Sequence, residues 1–415
     1  MKSALAVSER PFQPIYPTRL LNFFGRFVKE IVLDPDELMK NAEKETGLTD
    51  WGKDEFREGL ELFCQAINEE KQMHYTGKYI VKRTVCNDLA ARLKIQQTLV
   101  NEPEIIRRPI ESPILIPGMA RSGTTFLHRL LGADPQFRTT KFWELENPAP
   151  PPEPETYSSD SRIKETEKKL RLVFKISPAI AVAHPMEAVL PDECYVLLAR
   201  SFFRVVESVA RYKIPMYSEW LSSRTDEDLM GAYGYHKKQL QILQWRFADV
   251  RWVLKSPVHG LWIRAFEKTY PDAKYIFCHR EPAQFMPSVC SLAAAQRALS
   301  YSQIDFSELG DSLLDYRAIT VNRMMDAKKL IVPHRWFDLS FNKLMKIPME
   351  TVREIYDFLG VELTSDAEAL MIKFMDSQKQ GKHHGHKYSL EQFGLDRQRI
   401  DKTFERYRDQ YNRFF

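Results

Sequence analysis

Through roughly the first 105 residues, apolar side chains recur every three or four positions, the spacing of helices that bury one face. Asp34-Pro35-Asp36 opens one helix, with acids and a proline in its first turn. Residues 54–70 carry Phe56, Leu60, Leu62, Phe63 and Ile67 and predict a second helix; residues 79–99, with Val81, Val85, Leu89, Ala90, Leu93 and Ile95, predict a third. No chemistry-bearing pattern falls there, so residues 1–110 read as a helical region for packing or dimerisation. From Glu111 the rhythm changes to short apolar runs alternating with helical stretches. That is the pattern of an α/β domain, here 111–415, with a mainly parallel sheet flanked by helices. Strands are predicted at 114–116, 138–143, 252–254, 275–278 and 336–339. A proline-rich loop at 148–154 leads into a helical insertion, about 160–250, expected over the strand ends. A last helix, 397–415, puts Ile400, Phe404, Tyr407 and Tyr411 on one face, which suits either its own core or a partner subunit.

The first strand runs into Gly118-Met-Ala-Arg-Ser-Gly123 and then Thr124-Thr125, the G-x-x-x-x-G spacing of a phosphate-cradling loop. Such a P-loop-like turn aims backbone N–H groups and the positive end of a helix at an anion. A nucleoside triphosphatase has Lys where this chain has Thr124, and the strong cation here is Arg121, inside the loop. The loop is therefore suited to a phosphate-like anion but not to splitting ATP in the usual way. About 160 residues later the run Lys274-Tyr-Ile-Phe-Cys-His-Arg280 ends a strand, and Pro282 opens a helix that carries Ser288. A guanidinium at a strand end and a hydroxyl on the next helix converge well on one phosphate. Two anion sites in one sheet suggest a nucleotide phosphorylated at two separate positions.

Composition narrows the picture by exclusion. Sixty basic against 56 acidic residues leave a formal charge of +4, and no basic, aromatic-laced stretch suggests nucleic acid. Five scattered cysteines without a C-x-x-C pair suggest neither a zinc site nor a disulfide framework, and fit a reducing compartment. The N-terminal apolar patch is soon broken by Ser8-Glu-Arg-Pro11, too short and charged for a secretory segment, and no run is long enough to span a bilayer. A cytoplasmic location is expected.

Taken together, Arg121-Ser122-Gly123-Thr124-Thr125 resembles the 5′-phosphosulfate loop of the PAPS-dependent sulfotransferases, and Arg280 with Ser288 resembles their 3′-phosphate pair. The runs Trp252-Val-Leu-Lys-Ser-Pro257, Tyr270-Pro-Asp-Ala273, Trp336-Phe-Asp-Leu339, Phe358-Leu-Gly360 and Tyr388-Ser-Leu-Glu-Gln-Phe-Gly394 are similar to that family as well. The resemblance covers residues 111 to about 400. Many cytosolic members carry Lys at the position of Arg121, whereas Arg occurs in the tyrosylprotein and bacterial carbohydrate branches. The basic loop that closes over the nucleotide is echoed by Gly381-Lys382-His-His-Gly385.

The resemblance implies transfer of a sulfuryl group from PAPS to a hydroxyl of a small molecule, lipid or carbohydrate, with PAP as product. By analogy with phosphoryl transfer, Arg121 neutralises the bridging oxygen while the loop and Thr124–Thr125 hold the 5′-phosphate. The acceptor hydroxyl needs a base. Glu144, 23 residues after Arg121 at the end of the predicted second strand, is the first candidate, because Arg-bearing branches place a catalytic Glu similarly. The alternative for Glu144 is a salt-bridged or helix-capping glutamate; His184 is the second candidate, and Lys255 at a strand end is suited to hold the sulfuryl group or to pair with an acid. No metal is implied: no carboxylate–hydroxyl pair flanks the loop, and His383, His384 and His386 read as part of a basic loop. Phe174, Tyr195, Phe202, Phe203, Tyr217 and Trp220 make the insertion the expected source of the acceptor pocket, with most of these rings expected in ordinary core. Two other readings share these motifs: a nucleotide-binding interaction protein that has lost its base, and a P-loop kinase. Oligomeric state, including a homodimer, stays open.

Overall fold

A computed structural model describes residues 15–25, 27–247, 250–380 and 389–415. Five parallel strands form one sheet: β1 (Ile114–Ile116), β2 (Phe137–Thr139), β3 (Arg251–Lys255), β4 (Lys274–His279) and β5 (Trp336–Ser340), in the order β2-β3-β1-β4-β5. Every residue of β1 is buried, as its unbroken apolar run requires for a strand covered on both faces. Ile116 pairs with Lys255 and Ile114 with Lys274, so β1 lies between β3 and β4. The loops that leave the carboxyl ends of these three strands therefore emerge side by side, where open α/β sheets bind ligands.

One strand departs from its predicted bounds. The second strand stops at Thr139, and Phe142–Glu146 is a short helix. The Glu144 carboxylate accepts a hydrogen bond from the Lys141 backbone N–H at 2.9 Å, which closes the first turn. At the other end the Arg200 guanidinium donates to the carbonyls of Leu145 and Glu146. A side chain within the helix thus closes one end and one distant in sequence the other, which periodicity alone did not reveal.

The helical first hundred residues follow the predicted pattern: Pro35–Thr46, Arg57–Glu69 and Tyr75–Asn101. Asp34 Oδ1 caps the first by accepting from Glu37 N at 3.0 Å. His74 Nδ1 accepts from Gly77 N at 2.9 Å and starts the third helix four residues before its apolar stripe begins. A single apolar cluster runs from Leu33, Phe63 and Leu93 through Leu115, Phe202 and Trp262 to Phe404, so this region shares its core with the sheet and the insertion. Arg204 of the insertion, wholly buried, bridges Asp88 of the third helix and Glu207. A second cluster, with Ile114, Leu127, Val253, Ile276 and Leu359, covers the other face of the sheet. The C-terminal stretch breaks at Phe404 into Arg397–Thr403 and Glu405–Tyr411, and Ile400, Phe404, Tyr407 and Tyr411 are all buried in the chain's own core.

That core anchors the end of β4. His279 Nε2 meets Asp338 Oδ1 at 2.9 Å, its Nδ1 meets the Tyr407 hydroxyl at 3.0 Å, and its ring stacks on Tyr411 at 4.2 Å. Lys328 Nζ and Trp336 Nε1 also donate to Asp338. Burial alone would raise the Asp338 pKa, but His279, Lys328 and Trp336 hold it at about 2. This group stabilises the fold fully above the unfolded-state value of about 4 and loses its contribution as pH falls towards 2. Asp338→Asn is expected to cost roughly 2–3 kcal/mol at pH 7, read by urea denaturation, and to flatten the stability curve between about pH 4 and 2. An unchanged acid limb would remove Asp338 as the anchor.

Candidate active site

The loop after β1 is shaped by close approach. A Cβ on Gly118 would meet Thr124 Cγ2 at 3.0 Å and the Cys278 backbone nitrogen of β4 at 3.2 Å. Gly123 has φ +83° and packs where a Cβ would touch the Phe341 ring at 3.0 Å. Arg121 also lies in the left-handed region, at φ 66°, which turns its side chain out of the loop. The Ser122 hydroxyl and backbone N–H both donate to Met119 O, so this buried serine braces the turn. Thr124 and Thr125 open the helix Thr124–Leu131.

The two predicted anion sites meet. Arg121 Nε donates to Ser288 Oγ at 2.8 Å, and Arg280 Nη1 donates to Arg121 O at 2.5 Å. Ser288 lies on the helix Pro282–Arg297, directly after β4 and Arg280. The Arg280 guanidinium lies over the Phe341 ring at 4.2 Å, a support that the sequence alone did not suggest. Burial and the neighbouring Arg121 charge both lower the Arg280 pKa. Among the described residues no carboxylate forms an ion pair with Arg280, and its Nε is buried without a partner. The adjacent Glu281 is instead taken up by Arg397 and Arg408. A phosphate-bearing nucleotide fits this cradle, because it would supply the missing acceptor.

Lys255, at the carboxyl end of β3 beside β1, is wholly buried and donates to Glu193 Oε1 at 2.9 Å. Ser256 Oγ reaches the other Glu193 oxygen at 3.3 Å. Glu193 escaped the sequence reading because its partner is 62 residues away and no periodic pattern links them. The preceding Asp192 is held by Thr140, whose carbonyl accepts from Asp192 N and whose hydroxyl donates to Asp192 O, each at 3.0 Å.

The two candidate bases occupy opposite environments. Glu144 is wholly buried: one oxygen accepts from Arg138 at 2.6 Å and the other from Lys141 N. The Arg138 guanidinium is itself packed over Phe247 at 3.9 Å and Trp252 at 5.1 Å. Glu144 is thus the centre of a structural ion pair, at the third position of a helix rather than at a strand end. His184 is partly exposed and caps the helix Pro178–Ala183, and Arg121 Nη1 donates to the adjacent Ala183 carbonyl at 3.3 Å. His184 Nε2 faces Asp192 Oδ2 at 3.7 Å. Asp192 is buried, which raises its pKa, but His184, Lys255 and the Glu193 N–H together hold it well below the usual carboxylate range.

The aromatic residues of the insertion divide. Phe202, Phe203 and Tyr217 are buried core, with Phe63 against Tyr217 at 5.2 Å and Phe203 stacked on Trp220 at 5.4 Å. Their partners are the N-terminal helices and one another, so they do not line an acceptor pocket. Phe174 and Tyr195 remain partly exposed. Lys382, His383, His384 and His386 lie outside the described residues.

The model of a sulfotransferase family matches residues 113–366. Sulfotransferase STF1 from Mycobacterium tuberculosis is 30% identical, over 91% of this chain and 99% of that one, with a TM-score of 0.81. Sulfotransferase STF9 from Mycobacterium avium is 28% identical, over 92% and 97%, with a TM-score of 0.82. Over 110 residues the chain is 27% identical to the omega-hydroxy-beta-dihydromenaquinone-9 sulfotransferase Stf3 of Mycobacterium bovis, a stretch covering 26% of this chain and 28% of that relative's length. Among the described residues no helix is long and apolar enough to cross a membrane. The family match takes in the loop, both arginines, Ser288, His184 and Lys255, and this chain belongs to the sulfotransferase family.

Proposed function

We propose that the chain moves a sulfuryl group from PAPS to the hydroxyl of an apolar small molecule. One observation carries the donor reading: Arg121, Arg280 and Ser288 converge at the mouth of the loop, with Arg280 half-buried and, among the described residues, without a carboxylate ion pair. Two neighbouring guanidinium groups repel each other, and a bisphosphorylated nucleotide relieves that repulsion. The name of the Stf3 relative, with its menaquinone-derived acceptor, supports an apolar acceptor.

In this reading PAPS supplies the sulfuryl group already activated as a phosphate–sulfate anhydride. The loop N–H groups with Thr124 and Thr125 hold the 5′-phosphate, and Arg280 with Ser288 holds the 3′-phosphate. Arg121 balances charge on the bridging oxygen as its bond to sulfur breaks. Lys255 adds positive charge at the adjoining strand end, oriented by Glu193. Asp192, facing Nε2 of His184, favours the tautomer with its proton there and leaves Nδ1 to accept the hydroxyl proton as the new O–S bond forms. Asp192 then balances the imidazolium. His184 therefore takes the role of base, and Glu144 keeps the helix that borders the site in place.

Calorimetry is expected to give tighter binding of adenosine 3′,5′-bisphosphate than of AMP or ATP, with Arg280→Ala losing roughly 10- to 100-fold for the bisphosphate alone. Equal affinity for AMP in the wild type would remove the second phosphate site and with it the donor. His184→Ala should lower kcat about 10²- to 10⁴-fold while leaving bisphosphate affinity and melting temperature near wild type. Glu144→Gln should instead lose about 3–5 kcal/mol of stability with kcat of the folded fraction retained. The reverse pattern would return the base role to Glu144.

A further inference from the structure

Behind the Lys255–Glu193 pair the core holds a polar cluster that sulfuryl transfer does not use. Cys194 follows Glu193, and its backbone N–H donates to Lys255 O at 3.2 Å. Cys194, His236 on the helix Met230–Gln244 and His259 in the turn Pro257–Trp262 are each wholly buried. One ligand atom from each lies within 4.8 Å of the other two. Cys194 Sγ is 3.0 Å from His259 Nε2. Both rings are fixed from behind: His259 Nδ1 meets the Tyr233 hydroxyl at 2.9 Å, and His236 Nδ1 meets the Tyr270 hydroxyl at 2.8 Å. His236 Nε2 is buried with no partner at all. A buried orphan is unfavourable, and an apolar side chain at the same place would avoid it.

We propose that Cys194 Sγ and the Nε2 atoms of His236 and His259 bind one thiophilic d¹⁰ metal ion, Cu(I) or Zn(II). A thiolate with two imidazoles selects these ions, and the absence of a carboxylate from the set disfavours magnesium and calcium. The tyrosine hydroxyls supply the outer hydrogen bonds that orient metal-bound histidines. Metal–sulfur and metal–nitrogen bonds of about 2.3 and 2.0 Å require sulfur and nitrogen roughly 3.5–3.7 Å apart. Cys194 Sγ reaches that separation by moving about half an ångström away from His259. On binding, the thiol proton leaves to solvent, both imidazoles coordinate as neutral rings, and no oxidation state changes. Cu(I) with one thiolate leaves the centre neutral, whereas Zn(II) leaves one positive charge. The three ligands lie 42 and 23 residues apart in sequence, so the site exists only in the folded chain. The ion would pin Cys194 and thereby the adjoining Glu193 that orients Lys255.

The test is elemental analysis of the untagged full chain, produced with either copper or zinc supplied and then desalted. About one ion per chain is expected, with an X-ray absorption shell of one sulfur near 2.3 Å and two nitrogens near 2.0 Å. The metal retained at that stoichiometry distinguishes the two ions. Cys194→Ala and His236→Phe should each lower retention at least tenfold while still binding adenosine 3′,5′-bisphosphate, which reports on the fold separately from the metal. Less than about 0.1 ion per chain under both supplies, or a metal shell without sulfur, overturns the site. Should either variant fail to fold, the wild-type stoichiometry and absorption spectrum decide alone.

Discussion

The site depends on holding two guanidinium groups together where, among the described residues, no carboxylate forms an ion pair with Arg280. Arg280 donates to the Arg121 carbonyl, Arg121 donates to Ser288, and Phe341 supports Arg280 from below. Like charges at this distance repel, and burial of Arg280 adds to the cost. The surrounding structure supplies the rigidity that this arrangement needs. Gly118 lets the loop lie against β4, Gly123 lets it lie against Phe341, and the left-handed turn at Arg121 directs its side chain towards the helix Pro282–Arg297. His279, one residue before Arg280, is held by Asp338, Tyr407 and stacked aromatic rings. A strained, positively charged pocket of this kind is organised for an anion before the anion arrives.

Elsewhere in the molecule several buried charges are matched by partners of opposite sign. Arg138 and Glu144 neutralise each other beneath Phe247 and Trp252. Arg204 joins the insertion to Asp88 of the N-terminal helices. These pairs set orientation, since the attraction within a buried pair is largely offset by the desolvation of its members. In the proposed reading Glu144, paired with Arg138, holds the frame, while His184, partly exposed beside the Arg121 contact, acts in the site.

The helix and strand pattern was legible because each element buries a face or is buried outright. The run 114–116 is unbroken apolar and ends in a glycine-bearing turn, as an interior strand does, and the 79–99 stripe has the spacing of a helix. The short helix Phe142–Glu146 was not legible, because its ends are satisfied by Arg200 from the insertion and by its own Glu144. Phe202, Phe203 and Tyr217 of the insertion are ordinary core, as expected for most of its aromatic residues, but which ones could not be read from the sequence. Composition identifies large apolar surface but not its partner, and Phe63 of the N-terminal region covers Tyr217.

The sequence by itself determined the alternating α/β order, the glycine-bearing loop with Arg121, and the later Arg280–Ser288 pair, because local spacing encodes a turn and the helix that follows it. Tertiary structure alone decided that the two anion sites share hydrogen bonds, that Glu193 engages Lys255, and that Asp192 stands behind His184. It also decided that Cys194, His236 and His259 meet in the core. The physical reason is that these contacts join residues brought together only when parallel strands align their carboxyl ends. Parallel pairing inserts whole helices between neighbouring strands and so erases any short-range signal of which side chains will meet.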